Sequence, residues 1–283
     1  MKKLLFIFLA FVNIYASEAF IKPSTLKDSL DNKDLVVVDV SESYKKSHII
    51  GAVSLNVRTL LQEAPSTTLA SKEELEDIFR SLGISTGSKV VIYGRNTQKD
   101  IKNSAFLAFV LIAHGFENVS ILDGGYMGWV FDYDWFTTRE EIEPQEGDLK
   151  LIDTNTSINL HDLHKNGSIL VDTRDPQAYY GIEKNSDDRT IGHIPKAKNS
   201  YFAYKFLKDK TLRSLEDLEK IYADGLKLKK KDEIIVYGNN CFDASVEWYI
   251  IYHKLGYKNA KLYYNGFSEY IDSKEETERF KWE

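Results

Sequence analysis

The feature that most limits how this chain can fold is that it is written twice. Leu35-Val36-Val37-Val38-Asp39-Val40 is matched by Ile169-Leu170-Val171-Asp172-Thr173, and Ser47-His48-Ile49-Ile50-Gly51-Ala52 by Gly192-His193-Ile194-Pro195-Lys196-Ala197. Lys89-Val90-Val91-Ile92-Tyr93-Gly94 is matched by Glu233-Ile234-Ile235-Val236-Tyr237-Gly238. His114-Gly115-Phe116-Glu117-Asn118-Val119 is matched by Leu255-Gly256-Tyr257-Lys258-Asn259-Ala260. Gly124-Gly125-Tyr126-Met127-Gly128-Trp129 is matched by Asn265-Gly266-Phe267-Ser268-Glu269-Tyr270. Matches that keep their order along 283 residues mean two copies of one unit, each of ordinary domain size. The offset is 133 residues at the Asp and 145 at the His, so the second copy carries an insertion before its His-Ile. It falls to 141 at the last two matches, which makes the first copy slightly longer after its Tyr-Gly.

Within each copy, short apolar runs alternate with helical patterns. Val36 to Asp39 and Val90 to Tyr93 suit strands buried on both faces. Ser71 followed by Glu74 predicts a capped helix start, with Leu75, Ile78, Phe79 and Leu82 at helical spacing; Ser214 opens the counterpart. Ala105 to Ala113 and Val246 to Lys254 are apolar helices after the two Tyr-Gly loops. The expected fold class is therefore α/β, with two domains, each a parallel-rich sheet flanked by helices. The acidic stretch from Arg139 to Thr156 reads as a linker, which divides the chain into 1–19, 20–138, 139–156 and 157–283.

Composition narrows the function. With 43% hydrophobic and 28% charged residues and only 5 Pro, the chain is neither disordered nor low in complexity. A net charge of −6 argues against nucleic acid as a partner. The first residues look like an address: Lys2 and Lys3, then the unbroken apolar run Leu4 to Val12, then the small residues Ala16, Ser17 and Ala19. That pattern predicts a cleaved signal peptide, cut after Ala16 or Ala19, and a periplasmic or secreted protein with no membrane contact after cleavage. The apolar run is too short to cross a bilayer comfortably, which takes roughly 20 residues. A single Cys, Cys241, excludes an internal disulfide and a multi-thiolate metal site. Of the six His only His161 and His164, three apart on a predicted helix, could share a face, and with no third ligand nearby in sequence no metal or other cofactor is expected.

The set strand-Asp-x-Arg, Gly-His-Ile-Pro-x-Ala, strand-Tyr-loop-helix and Gly-Phe-x-Glu-Tyr resembles the tandem rhodanese, or sulfurtransferase, family. The resemblance spans about Phe20 to Glu283. It implies an inactive first domain. It also implies a second domain whose loop after the Tyr strand carries a Cys that takes sulfur from thiosulfate or 3-mercaptopyruvate and hands it to a thiol or cyanide. The first-half loop, Gly94 to Asn103, has no Cys, whereas the second-half loop Gly238-Asn239-Asn240-Cys241-Phe242-Asp243-Ala244 has the single one. In the family the Cys follows the strand directly. Here Gly238 stands at that position, and Cys241 comes three residues later.

A sulfur-transfer Cys must ionise, and amide groups at a helix N-terminus favour the thiolate. Cys241 lies just before a helix predicted to start near Asp243 or Ala244, with Asp243 as a possible cap. Arg174 matches the family's Asp-x-Arg and is either a structural ion pair or a substrate contact. Arg189, three residues before Gly192, is a second candidate clamp for the donor's anionic group. His48 and His193 fit turn-bracing roles better than general-base roles, and Trp248, Tyr249 and Tyr252 fit packing. Two functions follow. One is a sulfurtransferase working through a Cys241 persulfide, whose partners are a small sulfur donor and a thiol or cyanide acceptor. The other is a catalytically silent rhodanese-like binding module, which Gly238 at the usual Cys site supports. A phosphatase or arsenate reductase would need an Arg shortly after the Cys, and the run from Phe242 to Trp248 has none.

Overall fold

The computed structural model describes residues 18–62, 68–163, 167–183 and 191–281. Most of the predicted leader and the whole Arg189 segment fall outside them. In the first half the elements are β1 (Phe20–Ile21), α1 (Pro23–Lys27), β2 (Leu35–Asp39), β3 (His48–Ile49), β4 (Ala52–Ser54) and α2 (Lys72–Ser81). They continue as β5 (Lys89–Tyr93), α3 (Gln98–Ala113), β6 (Val119–Leu122), α4 (Gly125–Tyr133) and β7 (Thr137–Thr138). The second half holds β8 (Ser157–Ile158), α5 (Leu160–Leu163), β9 (Ile169–Asp172), α6 (Pro176–Tyr180) and β10 (Lys198–Asn199). After these come α7 (Leu215–Glu219), β11 (Ile234–Tyr237), α8 (Cys241–Tyr249), β12 (Ala260–Tyr263) and α9 (Gly266–Asp272).

The repeat becomes two five-stranded parallel sheets of the same strand order, β1-β6-β5-β2-β4 and β8-β12-β11-β9-β10. The central strands are buried along their length, as their Val and Ile runs require. The Ser71 cap forms as a full capping box, its hydroxyl accepting from the Glu74 amide while Glu74 accepts from the Ser71 amide. His48 and His193 are both buried bracing groups. Each stacks on a Tyr, Tyr44 or Tyr179, and sets Nδ1 2.9 Å from that residue's carbonyl.

Two expectations need correcting. The helices after the Tyr-Gly loops start earlier than their apolar stretches, at Gln98 and Cys241, because side-chain caps just before those residues set their starts. Thr97 accepts from the Asp100 amide and Asn240 from the Phe242 amide, so Asn240, not Asp243, is the cap of α8. The 139–156 stretch is also more than a linker. Leu149 and Leu151 are buried, the Leu151 amide donates to Glu76, and the amides of Ile152 and Thr154 donate to His114 and Ala113 carbonyls. It is strapped along α2 and α3.

The two halves share one hydrophobic core. α3 packs against α8, with Phe106 and Phe242 ring centroids 4.2 Å apart and Phe109 edge-on to Trp248 at 5.0 Å. The Tyr249 hydroxyl donates to the Ala19 carbonyl (2.7 Å), tying the second half to the first strand of the first. His253, in the π-helical turn Ile250–Lys254 that continues α8, places Nε2 3.2 Å from the Val119 carbonyl of β6. Its Nδ1 is buried with no hydrogen-bond partner among the described residues. Burial, helped by the Lys258 cation, holds this imidazole below its ordinary 6.5. The unfolded chain therefore takes up this proton first as pH falls through 6.5, and native stability drops by up to about 1.4 kcal/mol per pH unit until the folded group also protonates. The loss in urea-unfolding stability between pH 7.5 and 5.0 should be smaller in His253→Gln than in the parent. An equal loss in both would show that another group is responsible.

Candidate active site

Tyr237, at the end of β11, is fully buried, and its hydroxyl accepts the Ile194 amide (3.2 Å). Tyr93 does the same for Ile49 in the first half (3.0 Å). Only Gly238, Asn239 and Asn240 lie between β11 and α8, and Cys241 is already the first helical residue. Gly238 is pinned: its carbonyl accepts the Phe267 amide (2.8 Å), and a Cβ placed on it would lie 2.5 Å from the Asp243 Cβ and 3.0 Å from Thr173 Cγ2. No side chain fits there without moving the loop. The Asp243 carboxylate accepts the Asn239 amide (3.3 Å), so an internal anion takes up a loop N–H group that would otherwise serve an external one.

The first half has the same arrangement. A Cβ on Gly94 would lie 2.4 Å from the Asp100 Cβ, and the Asp100 carboxylate accepts from the Arg95 amide (3.0 Å) and the Thr97 hydroxyl (2.8 Å). Both loops thus pair a glycine after the strand with an aspartate pressed against it.

Cys241 is fully buried at the seam between the halves. Burial pushes its thiol up to about 12, and the Asp243 carboxylate pushes the same way. The Tyr264 hydroxyl and Arg58 work against this without overcoming it. Helix-terminus placement alone therefore leaves a protonated, inaccessible thiol.

Arg174 is enclosed among the described residues. It is 3% exposed, bonds Asp172 through Nε (3.1 Å) and Nη2 (2.6 Å), donates to the Gly192 carbonyl (2.6 Å) and stacks over Phe267 at 3.7 Å. The structural ion pair is the role its surroundings define. The first half lacks an Arg two residues after Asp39, and Arg95 from the loop fills the same space. It stacks over Tyr126 at 3.5 Å, approaches Asp39 at 3.8 Å and donates to the Ser43 carbonyl (3.0 Å). Arg95 is legible as the compensating residue only once both loops are compared. Arg189 lies outside the described residues.

Of the expected loop residues, Asn240, Phe242 and Asp243 border a cleft of about 920 Å³ between the halves, whereas Gly238, Asn239, Cys241 and Ala244 do not line it. The rest of its wall comes from the first half, through the loop after β2, the end of β4 and the segment after it, and the first turns of α3, with Glu141 added from the 139–156 stretch. Lys102 of α3 bridges the cleft to Asp243 (2.7 Å), and Arg58 sits over the Phe242 ring at 4.7 Å. Sequence reasoning missed Arg58, Lys102, Asn56, Gln98 and Asn103, because they lie in the half without a Cys and meet the loop only through the packing of α3 on α8. Among the described residues no group of three His, Cys, Asp or Glu is placed to hold a metal, and no helix is long and apolar enough to cross a membrane.

Comparison with known proteins fits this architecture. The rhodanese-like domain model matches the chain twice, over residues 22–132 and 158–273. A Haloferax volcanii protein named putative thiosulfate sulfurtransferase is 30% identical over 274 residues, covering 90% of this chain and 94% of its own. A Thermus thermophilus protein named sulfur carrier protein TtuD is 26% identical over 270 residues, covering 89% of this chain and 93% of its own. Among solved structures, YnjE superposes with a TM-score of 0.80 at 21% identity over 93% of this chain and 69% of that one. A hercynine complex of an EanB variant also scores 0.80, at 20% identity over 92% and 69%. At these identities the structures speak to the fold.

Proposed function

This chain belongs to the rhodanese family, and on that premise we propose that it acts as a binding module of that fold and not through a persulfide on Cys241. The observation that carries the reading is the filled loop. The position directly after the strand is a glycine with no room for a side chain, and the Asp243 carboxylate takes up the Asn239 amide of the loop. The chain's single thiol points into the core. What remains open to solvent is the cleft between the halves, whose size falls at the upper end of small-molecule sites, about 300–1,000 Å³. The leader-like start, Lys2-Lys3 with the apolar run to Val12, supports placing this module in the periplasm or outside the cell.

The relatives' names favour a second reading, sulfur transfer, which in the form expected from the sequence has Cys241 take a sulfur from thiosulfate or 3-mercaptopyruvate and pass it to a thiol or cyanide. That chemistry requires the first turn of α8 to unwind and the Lys102–Asp243 pair to open, so that Sγ reaches solvent and ionises. Intact-mass measurement separates the two. Freshly reduced protein treated with thiosulfate, and separately with 3-mercaptopyruvate, should keep its mass. Gain of one sulfur atom that disappears in Cys241→Ser would overturn the module reading and establish the transferase.

A further inference from the structure

The cleft carries a charge pattern that identifies what it holds. Three carboxylates line it, and each faces a lysine: Glu42 faces Lys99, Glu141 faces Lys45 (3.5 Å), and Asp243 faces Lys102 (2.7 Å). Arg58 also lines it, and among the described residues it has no carboxylate partner. Its guanidinium is held by the face of Phe242, which leaves its N–H edge for a ligand, and its backbone amide is fixed by Asn56 (3.1 Å). The first turns of α3 and α8 both open onto the same space, through Gln98 and Lys99 and through Asn240 and Phe242. With the paired charges cancelling, the Arg58 guanidinium is the unmatched charge of the cleft among the described residues.

Size and lining define the rest of the ligand. A five-atom anion such as thiosulfate displaces only a few waters of about 30 Å³ each, a small part of a 920 Å³ cleft. The remaining wall is rich in neutral donors and acceptors: Ser41, Ser54, Asn56, Gln98, Asn103 and Asn240. Building on the module reading, we infer that the cleft binds a hydrophilic organic anion, its carboxylate or phosphate head on Arg58 and a hydroxylated body among these side chains.

The test is calorimetric titration of the protein, at low and at physiological salt, with inorganic phosphate, gluconate and glucose 6-phosphate. Gluconate or glucose 6-phosphate should bind one to one and more tightly than phosphate, which carries the head alone, and the preferred head identifies the ligand's acid group. Arg58→Gln, at an exposed position where the fold loses only the stacking of the guanidinium on Phe242, should weaken that binding about tenfold or more, with an unchanged urea-unfolding midpoint showing that the fold is intact. Lys99→Gln, which removes a cation already paired with Glu42, should change it far less. Absence of binding by all three probes, or equal binding by Arg58→Gln, overturns the site. Neither outcome bears on Cys241, so failure here is distinct from a persulfide appearing in the mass experiment.

Discussion

In the folded protein at pH 7.5, Cys241 should react with Ellman's reagent about a thousandfold or more slowly than free cysteine. The attacking species is the thiolate. A thiol near 12 is ionised at that pH to only a few parts in a hundred thousand, against about a tenth for an unperturbed cysteine near 8.5. Full burial subtracts further, since the reagent cannot reach Sγ without an opening of the seam between α3 and α8. In 6 M guanidinium chloride the same protein should release one equivalent at the ordinary rate. The rate in native protein should climb steeply with pH or with sub-denaturing urea, as either ionisation or opening is supplied. A fast, stoichiometric reaction at neutral pH would mean that the loop visits an open state readily. That result would favour the persulfide reading over the binding module.

The largest effect on stability is expected behind the loop. Glu247 is fully buried in the middle of α8, and Lys205 is 2% exposed. The ammonium lies 3.2 Å from Glu247 Oε2 and donates to the Ser200 hydroxyl (2.8 Å) and the Tyr201 carbonyl (3.0 Å). Ser200 in turn donates to Glu247 Oε1 (2.6 Å). Burial pulls the Lys205 ammonium below its ordinary range, and the Glu247 carboxylate resists this. Lys205→Met removes the cation and strands the carboxylate, which should cost about 3–5 kcal/mol. That is a large part of the 5–15 kcal/mol typical of a folded domain. Lys205→Met with Glu247→Leu should recover most of the loss, because it removes the uncompensated charge as well as its partner. Urea unfolding of the two single variants and the double variant measures the coupling. A Lys205→Met cost under about 1 kcal/mol, or purely additive losses, would show that the two groups do not hold each other.

Much of this architecture can be read from local signals. Period-two and uniformly apolar runs around Asp39, Tyr93, Asp172 and Tyr237 are short-range patterns, and each becomes a buried strand of a parallel sheet. The Ser71 capping box is encoded within four residues. The starts of α3 and α8 were less legible, because the caps Thr97 and Asn240 set them: α3 runs back into polar sequence with no apolar period, and α8 starts two residues before Asp243. The loop itself was legible as to place: Asn240, Phe242 and Asp243 do border a cleft. Its chemistry was not, since the motif marks where a Cys belongs but says nothing of how a displaced one is packed. Arg174 shows the same limit. Asp-x-Arg is visible in sequence, but only the stacked Phe267 and the Gly192 carbonyl define the side chain as a brace.

By itself, then, the sequence determined that there are two copies of one α/β unit, where the central strands and the main helices of each copy lie, and that the family is that of the rhodaneses. These follow from repeats, periodicity and caps, all set by residues within a few positions of one another. Only the tertiary structure decided that Gly94 and Gly238 are closed off by Asp100 and Asp243, that Cys241 is buried against Tyr264, and that Arg58 meets Phe242 across the cleft. The reason is physical. Accessibility, ionisation and the pairing of charges depend on what other parts of the chain bring to within a few ångströms, and here the packing of α3 on α8 brings residues from opposite halves together.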